Sequence, residues 1–525
     1  MLSIRLAGAT VPTRGGTAAP YRSERAGYVA TVRPGLTSDA AQAFAGARSA
    51  MTAAWGLPPG ELPSAAPGLS RLVADALQAP DDLAAVWLLL VAVSGAFPGV
   101  EELEDASLAL CTGGAAALVA TAVSSATDPQ RSRESACLGG TLVDVTMTAQ
   151  AAAHAGVPRV VRGLVSGWGE HADLHYVVWS AWGLRTANEE ERLRLGLTGR
   201  PSVAPGSWVV PWQALYVAPE VLRPERHATA LEAMALAGVV ELTAVVHDLA
   251  SVVEPDPDAT RGPFLHYLSA LGRGARIATV SHATAGDVRD YLSLLRRNGR
   301  PLPEVQAHPL PAGTTWAAAS PEVVTDLDAR LRGDRAWPVV VVVSSVYRRK
   351  NHARLVAACE ALWTEGQEFR LLVVAGMGSR IPAVDQAFDR LIERGRPVTV
   401  VGGVDEEVLR AAYELARVSA YVSLAEGYGL PVVESLSAGT PVVTSGHGSM
   451  AELAEPGGAL LVDARDEDSI AAGLRTALAD EEAFAVVTSA VQHRPAPRTW
   501  HDYAAAVGAF LGVPGPDHDT AGRAR

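Results

Sequence analysis

Cysteine is scarce in this sequence of 525 residues. The three cysteines, Cys111, Cys137 and Cys359, lie far apart, and no two of them have the spacing of a metal site or a redox motif. A small secreted domain held together by disulfides is therefore excluded as a class, because such domains are rich in cysteine. The composition fits a protein of the reducing cytoplasm best.

Basic residues are also fewer than acidic ones. The sequence has 44 lysines and arginines against a total of 57 aspartates and glutamates, so the net charge is −13. A nucleic-acid partner is not expected, because phosphate binding needs a basic stripe. One local exception is an arginine-rich segment that contains Arg289, Arg296 and Arg297. A solvated helix face explains this segment more simply, and peripheral contact with an anionic membrane is the alternative.

Long apolar runs are missing as well. Residues 83–97 are apolar but stop at Pro98, short of the ~20 residues that a transmembrane helix needs. Residues 106–123 are diluted by serine, threonine and a glycine pair, and the first residues lack the apolar run of a secretory signal. We therefore expect buried helices in a cytoplasmic protein, with any membrane contact peripheral and at the inner face.

Short β-branched runs alternate with amphipathic helical stretches between residues 338 and 479. This alternation is typical of a parallel sheet with helices on both faces. It predicts a doubly wound α/β domain over residues 320–490. The six predicted strands are Val339 to Val343, Leu371 to Ala375, Val398 to Val401, Ala420 to Leu424, Pro441 to Thr444 and Ala459 to Val462.

A second alternating block, residues 136–315, precedes the first. Two facing α/β domains leave a cleft between them, and ligands bind such sheets beyond the carboxyl ends of the strands. The strands predicted in this block are Leu142 to Thr146, His175 to Trp179, Trp208 to Pro211, Leu242 to His247 and Arg276 to Ser281.

The remaining segments carry no recognised chemistry. Residues 1–135 are rich in alanine and are predicted to form a mainly helical extension of unknown role. Residues 497–513 are predicted to form a C-terminal helix, and residues 514–525 a disordered tail.

The strongest chemical signal is the segment AEGYGLPVVESLSAGTPVV, residues 425–443. Pro431 suits the first position of a helix, so the helix N-terminus and the free N–H groups of residues 427–430 predict an anion site. Glu426 precedes this helix and Glu434 lies within it, so their carboxylates line one wall of the site. A glycosidase pair is therefore not expected, because its two carboxylates flank the scissile bond.

This segment resembles glycosyltransferase family 4, whose signature is two glutamates with seven residues between them in a similar stretch. The resemblance covers roughly residues 140–510 and implies a GT-B fold, in which two Rossmann-like domains face a cleft and a last helix returns to the first domain. It implies a retaining, metal-independent transfer from a nucleoside-diphosphate sugar. It also implies that Glu426 contacts the donor sugar and that Glu434 holds the nucleotide ribose.

The resemblance assigns further residues to the donor. Lys350 lies after a strand and before a helix in VVVVVSSVYRRKNHARLVAA, where the family has a lysine that binds the donor diphosphate. Its compact charge and the fork-shaped charge of Arg349 both suit a leaving diphosphate. Ser345 stands where many members have arginine, so Arg349 is the candidate to replace that contact. The predicted donor-binding residues are Arg349, Lys350, Gly427, Tyr428, Gly429, Leu430, Glu434, Ser445 and Gly446.

On the acceptor side, the sequence is similar to a mannosyl- and rhamnosyltransferase-like branch of the family. Gly156 and Arg159 stand where that branch has its glycine and arginine, and Ala155 replaces its usual threonine. His247, in VVHDLASVVEP, is expected to reach the cleft from a strand end, near the transferred sugar or the acceptor. The predicted catalytic residues are Glu426, Lys350 and His247.

The expected function is transfer of a sugar, mannose first and rhamnose second, to a hydroxyl of a glycan, a glycolipid or a small metabolite. No metal-ligand cluster is recognised, and no cofactor besides the donor substrate is expected. Two alternatives stay open: another GT-B activity, such as a phosphorylase or a nucleotide-sugar epimerase, and a catalytically degenerate member that binds without turnover. The presence of both glutamates together with Lys350 favours the transferase.

Overall fold

The computed structural model describes residues 83–124, 135–151, 156–222, 224–254, 262–295, 301–311, 318–375, 382–496 and 498–515. These residues form two α/β regions, each built on one sheet. Residues 1–82 of the predicted extension lie outside the described residues, as do Arg296, Arg297 and residues 516–525 of the predicted tail.

The first region holds nine strands and nine helices among its described residues. The strands are β1 (Ser135–Leu138), β2 (Thr141–Asp144), β3 (Leu174–Trp179), β4 (Leu184–Thr186), β5 (Trp208–Pro211), β6 (Ala214–Ala218), β7 (Val240–Val246), β8 (Arg276–Thr279) and β9 (Glu304–Ala307). The helices are α1 (Leu83–Ser94), α2 (Val100–Ser124), α3 (Thr146–Gln150), α4 (Gly156–Trp168), α5 (Glu189–Arg194), α6 (Glu225–Ala237), α7 (Ala250–Val253), α8 (Gly262–Leu271) and α9 (His282–Leu294).

The second region holds six strands and nine helices among its described residues. The strands are β10 (Val339–Ser344), β11 (Arg370–Ala375), β12 (Val398–Gly402), β13 (Val418–Tyr421), β14 (Val442–Ser445) and β15 (Ala459–Val462). The helices are α10 (Pro321–Arg330), α11 (His352–Thr364), α12 (Pro382–Glu393), α13 (Glu406–Leu415), α14 (Leu430–Ser437), α15 (Gly448–Ala454), α16 (Glu467–Ala479), α17 (Glu481–Gln492) and α18 (Trp500–Leu511).

Both sheets are mainly parallel. The first has the strand order β1-β5-β4-β3-β2-β6-β7-β8-β9, and only the pairs of β4 with β3 and β5 are antiparallel. The second has the order β12-β11-β10-β13-β14-β15 and is parallel throughout. The chain therefore leaves β10 in one direction and returns to its other side at β13. This reversal creates a crevice at the carboxyl ends of β10 and β13, where open α/β sheets bind ligands.

The predicted fold class is confirmed, because two Rossmann-like parallel sheets lie beside a helical N-terminal segment. All six strands predicted in the second region are present, with ends shifted by at most three residues. The sequence pattern missed four strands of the first region. β4 has only three residues and β9 alternates between exposed and half-buried positions, so neither carries the buried apolar run that a central strand requires. The missed strands are β1, β4, β6 and β9.

Helices α1 and α2 belong to the core of the first region. Trp87, Leu88 and Leu89 of α1 are fully buried and share one apolar cluster with α2, α6 and strands of the first sheet. The sequence-based division at residue 135 therefore does not coincide with a break in this core. The reason is that α1 is apolar on all sides, which a helix tolerates only when it is enclosed.

The C-terminal helix α18 packs on α4 of the first region. Trp500 and Ala504 lie so close to Gly163 and Gly167 that a Cβ atom on either glycine would come within 2.3 Å of them. The indole N–H of Trp168 donates to the carbonyl of Ala504 at 2.8 Å. The chain thus crosses from the second region back to the first near its end.

Candidate donor and acceptor site

Glu426 lies at the crevice of the second sheet, between two cationic side chains. It follows β13, and Arg349 and Lys350 lie in a single 3-10 turn (Arg348–Lys350) after the adjacent strand β10. Lys350 Nζ lies 2.6 Å from Glu426 Oε1, and Arg349 Nη1 lies 2.7 Å from Oε2. The parallel sheet brings these side chains together because neighbouring strands end at the same edge.

Neighbouring groups fix this cluster in place. The hydroxyl of Ser423 donates to Glu426 Oε1 at 2.7 Å, and Lys350 Nζ donates to the Tyr421 hydroxyl at 2.6 Å. The backbone N–H of Leu424 donates to the carbonyl of Arg349 at 2.7 Å, which ties the two loops to each other. These hydrogen bonds hold the three charged groups in place. Sequence reasoning missed Ser423 and Tyr421, which have no motif of their own.

The charge of Glu426 is strongly stabilised. Burial alone would raise the pKa of this carboxyl, but the charges of Lys350 and Arg349 lower it to about 2. Burial lowers the pKa of Lys350 and Glu426 opposes that effect, whereas the pKa of Arg349 is raised by Glu426 despite its burial. Glu426 is therefore a carboxylate at neutral pH, able to accept hydrogen bonds and unsuited to donate a proton.

Glu426 should make the stability of the protein depend on pH below about 4.5. Its folded pKa of about 2 lies below the ordinary value of 4.5, so the unfolded chain binds the proton first as the pH falls. The wild type should then lose about 1 kcal/mol of unfolding free energy between about pH 4.5 and about pH 3.5 through this group. Glu426→Gln should lack that part of the slope. Urea unfolding at both pH values measures it.

Glu455→Gln serves as the matched control, because Glu455 is an exposed residue of the same region. This variant should keep the wild-type slope. Equal slopes for wild type and Glu426→Gln would contradict the low pKa of Glu426.

The loop that follows Glu426 touches the first region. A Cβ atom on Gly427 would lie 1.6 Å from the carbonyl oxygen of His247, so only glycine fits this contact. The hydroxyls of Ser281 and Thr284 both donate to the carbonyl of Gly427, at 2.6 and 3.0 Å. Gly429 precedes α14 with a φ of 109°, a conformation that favours glycine. The α14 N-terminus therefore opens beside Glu426, as the anion-site prediction requires.

Tyr428 and Leu430 are predicted donor contacts, and in this structure both side chains contact the first region. The hydroxyl of Tyr428 is buried and donates to the carbonyl of Leu310 at 2.7 Å. Leu430 begins α14, and its Cδ1 atom would lie 3.5 Å from a Cβ atom on Gly156 at the start of α4. Both side chains thus join the two regions in this structure, and their contact with a nucleotide stays a prediction.

Glu434 is buried in α14 and paired across the cleft. Arg159 Nη1 of α4 donates to Glu434 Oε1 at 3.0 Å. The Tyr413 hydroxyl lies 3.3 Å from the other carboxylate oxygen. Arg159, predicted on the acceptor side, therefore reaches the carboxylate that the family resemblance assigns to the ribose.

His247 follows β7 and is 7% exposed. Its Nε2 atom lies 2.7 Å from the carbonyl oxygen of Pro219, and a carbonyl can only accept, so Nε2 carries the proton. Burial lowers the pKa of the imidazole, which favours the neutral ring with Nδ1 as an acceptor. Asp248 beside it accepts from the Ala250 N–H at 3.1 Å and lies close enough to raise the pKa of Arg349.

Ser445 and Gly446 lie at the end of β14 and form hydrogen bonds within the second region. The Ser445 side chain is fully buried, and its hydroxyl donates to the carbonyl of Ser423 at 2.6 Å. The N–H of Gly446 donates to the carbonyl of Val462 at 2.8 Å. These contacts support the loop that carries Glu426, and a direct contact of either residue with the donor stays a prediction.

Sequence reasoning also missed two buried carboxylates at the carboxyl ends of β2 and β6. Asp144 accepts from the hydroxyls of Thr146 and Tyr216, at 2.6 and 2.7 Å. Glu220 accepts from the N–H and hydroxyl of Thr148, at 3.0 and 2.6 Å. Burial raises the pKa of both, that of Glu220 to about 8 with the charge of Asp144 as a second cause. The available signal was an acidic residue at or just beyond the end of an apolar strand.

Two further expectations concern metals and membranes. Among the described residues, no group of three or more His, Cys, Asp or Glu side chains is placed to hold a metal ion.

Residues 100–122 of α2 are long and apolar enough to cross a bilayer by length and composition, with 28% of their most apolar stretch buried. The backbone leaves the helical conformation at Gly114 within that stretch. Arg289 donates to the carbonyl of Val305 at 2.7 Å, so its proposed membrane contact would compete with this bond.

Residues 329–493 match the protein family described as Glycosyl transferases group 1. This segment contains the crevice, the cation pair and both glutamates. The fold and the match define the class: the chain is a GT-B protein whose second region is a group 1 glycosyltransferase domain. Its GT-B fold is shared with the crystal structure of Anabaena Alr3699/HepE in complex with UDP and glucose. That chain is 16% identical, with a TM-score of 0.52 over 71% of this chain and 99% of that one.

The individual relatives are mannosyltransferases. The chain is 26% identical over 316 residues to the serotype-specific mannosyltransferase WbdA of Escherichia coli, an alignment that covers 58% of this chain and 37% of that protein. It is 31% identical over 158 residues to the O-antigen chain mannosyltransferase B of Escherichia coli, which covers 29% of this chain and 40% of that protein. The chain thus spans about two fifths of the length of these relatives, and the predicted resemblance to a mannosyltransferase-like branch is confirmed.

Proposed function

We propose that the protein is a retaining glycosyltransferase that moves mannose from a nucleoside-diphosphate sugar to a hydroxyl group. The acceptor is a glycan, a glycolipid or a small metabolite, and rhamnose is the second candidate for the sugar. The similarity to mannosyltransferases supports mannose. The observation that carries the proposal is the pair of cations, Arg349 and Lys350, beside the N-terminus of α14 at the crevice of the second sheet.

This arrangement suits a leaving diphosphate. Two cations and the N–H groups at a helix start neutralise the negative charge that grows as the bond from sugar to phosphate breaks. In this structure, Glu426 forms ion pairs with both cations. A bound diphosphate would share them, and the freed lone pairs of Glu426 would accept hydrogen bonds from the sugar hydroxyls. Catalysis then rests on positioning and electrostatic stabilisation, with no proton taken up by Glu426.

In this proposal, the acceptor hydroxyl approaches the donor from the side of the first region. His247 brings a neutral imidazole to the strand end that touches Gly427, so the acceptor side and the donor side meet there.

A panel of nucleotide sugars in a thermal-shift assay tests donor choice. A ligand at 100 times its Kd should add about 2.7 kcal/mol of stability, with GDP-mannose the expected best donor. Absence of a shift with every nucleotide sugar would contradict the proposal, and binding without turnover would favour the degenerate alternative.

Transfer should not need a divalent metal, because cationic side chains and a helix terminus take the place of the ion at the diphosphate. Activity with the best donor should therefore persist in excess EDTA. The assay measures nucleoside diphosphate released per enzyme in the presence of acceptor, with and without chelator. Activity that disappears with EDTA and returns with magnesium or manganese would contradict this mechanism.

A further inference from the structure

The ion pair between Arg159 and Glu434 joins residues 275 positions apart on opposite sides of the cleft. The Glu434 side chain is 9% exposed and that of Arg159 28%, so water screens the pair only in part. Removing one member of such a pair leaves a buried charge uncompensated. Arg159 therefore stabilises the ionised form of a carboxylate that lies in the other region of the protein.

The Glu434 carboxylate can still accept hydrogen bonds from a ligand while it is paired with Arg159. A carboxylate offers about four acceptor positions, and Arg159 and Tyr413 occupy two of them. Two positions suffice for the two hydroxyls of a ribose. Arg159 can thus orient the carboxylate without displacing the nucleotide.

The groups that face Glu434 include one cation. Burial raises the pKa of this carboxyl, and the charge of Glu406 in α13 adds to that effect. Arg159 of α4 and the Tyr413 hydroxyl of α13 oppose it. Tyr421 of β13 is also near enough for Glu434 to raise its pKa. The ionised form of Glu434 consequently depends on a side chain contributed by the first region.

Other contacts show that the two regions are closed around this pair. The Glu452 carboxylate of α15 accepts from the N–H of His282 at 3.0 Å and from that of Ala283, at the start of α9. Gly427 touches the carbonyl of His247, and Leu430 lies against Gly156. If the two regions separated at these contacts, Arg159 would move away from Glu434.

We propose that Arg159 is a positioning residue of the donor site, which holds and orients the Glu434 carboxylate for the ribose hydroxyls of a nucleoside diphosphate. The ribose site then draws on residues of both regions. This inference rests on the proposed function, because it requires a nucleotide beside Glu434.

Arg159→Met tests the inference by isothermal titration with GDP and with UDP. For the nucleotide that binds the wild type more tightly, Kd should rise about 10-fold or more, as expected when a charged hydrogen-bonded partner is lost. Arg159→Lys keeps the cation and should restore most of the affinity. Arg273→Met is the matched control, since Arg273 pairs with Glu232 inside the first region with nearly the same exposures, 28% and 10%. Its Kd should equal that of the wild type.

Two further readouts separate positioning from a merely structural role. Without Arg159 the pKa of Glu434 should rise further, so the ratio of variant Kd to wild-type Kd should increase as the pH is lowered. In a Glu434→Gln background, Arg159→Met should add little further loss. A pH-independent ratio, or fully additive losses, would overturn the inference alone. A wild type that binds neither GDP nor UDP would overturn the proposed function, and this inference with it.

Discussion

Replacing Lys350 with alanine should lower kcat by about 100-fold or more. Negative charge grows on the diphosphate as the sugar bond breaks, and deletion of one preorganised electrostatic contact typically costs about 3 kcal/mol of transition-state stabilisation. The structure adds a second reason. Lys350 lies 2.6 Å from Glu426, so its loss leaves the buried carboxylate with Arg349 as its only cation among the described residues.

Steady-state kinetics with the best donor measures this effect, after circular dichroism has confirmed that the variant is folded. Arg475→Ala is the control, because Arg475 forms an exposed ion pair with Glu365 in the same region and such pairs contribute little. Its kcat should be that of the wild type. A folded Lys350→Ala variant with nearly unchanged kcat would remove Lys350 from the chemistry.

Glu434→Gln should fail in a different way. The ribose hydroxyls carry the same charge before and during the reaction, so their contacts stabilise substrate and transition state equally. The KM for the donor should rise about 10-fold or more, while kcat should fall by less than about 3-fold. The glutamine also loses the charge that pairs with Arg159, which adds to the loss of affinity.

The same kinetic experiment decides between the two roles of the glutamates. If Glu434→Gln abolishes kcat with an unaltered donor KM, this carboxylate takes part in the chemistry and the ribose assignment is wrong. Glu414→Gln provides the control, because Glu414 pairs with Arg410 within the single helix α13. That variant should keep both kinetic constants.

The strands of the second region were largely predictable from the sequence, because they are short, mostly apolar runs separated by helical stretches. Val339 to Val343 illustrates this, since β10 is the second sheet's third strand and is almost wholly buried. The pairing of Lys350 with Glu426 also follows from parallel topology, although its distances do not. The resemblance to a known family supplied the roles.

Contacts between distant parts of the chain could not be predicted in this way. Nothing in the local pattern around Arg159 indicates that it meets Glu434, and nothing around Tyr428 indicates that its hydroxyl bonds to Leu310. Such contacts depend on how two regions close, which no periodicity encodes. The same limit explains why helices α1 and α2 were set apart as an extension although they complete the first core.

The lysine count singles out one position of the candidate site. Lys350 is the only lysine in the chain, while 43 of the 44 basic residues are arginines. A compact ammonium thus occurs at the single position that the family resemblance assigns to the diphosphate. Amine reagents can therefore label this site without a background from other lysines.

The most direct test of the account is the rate at which Lys350 is acetylated by a mild amine reagent, followed by peptide mass spectrometry. The α-amine of the chain serves as the internal reference. A nucleoside diphosphate present at 100 times its Kd should slow acetylation of Lys350 about 10-fold or more relative to the α-amine, since few sites remain free. An unchanged rate with a nucleotide that measurably stabilises the protein would show that the diphosphate binds elsewhere.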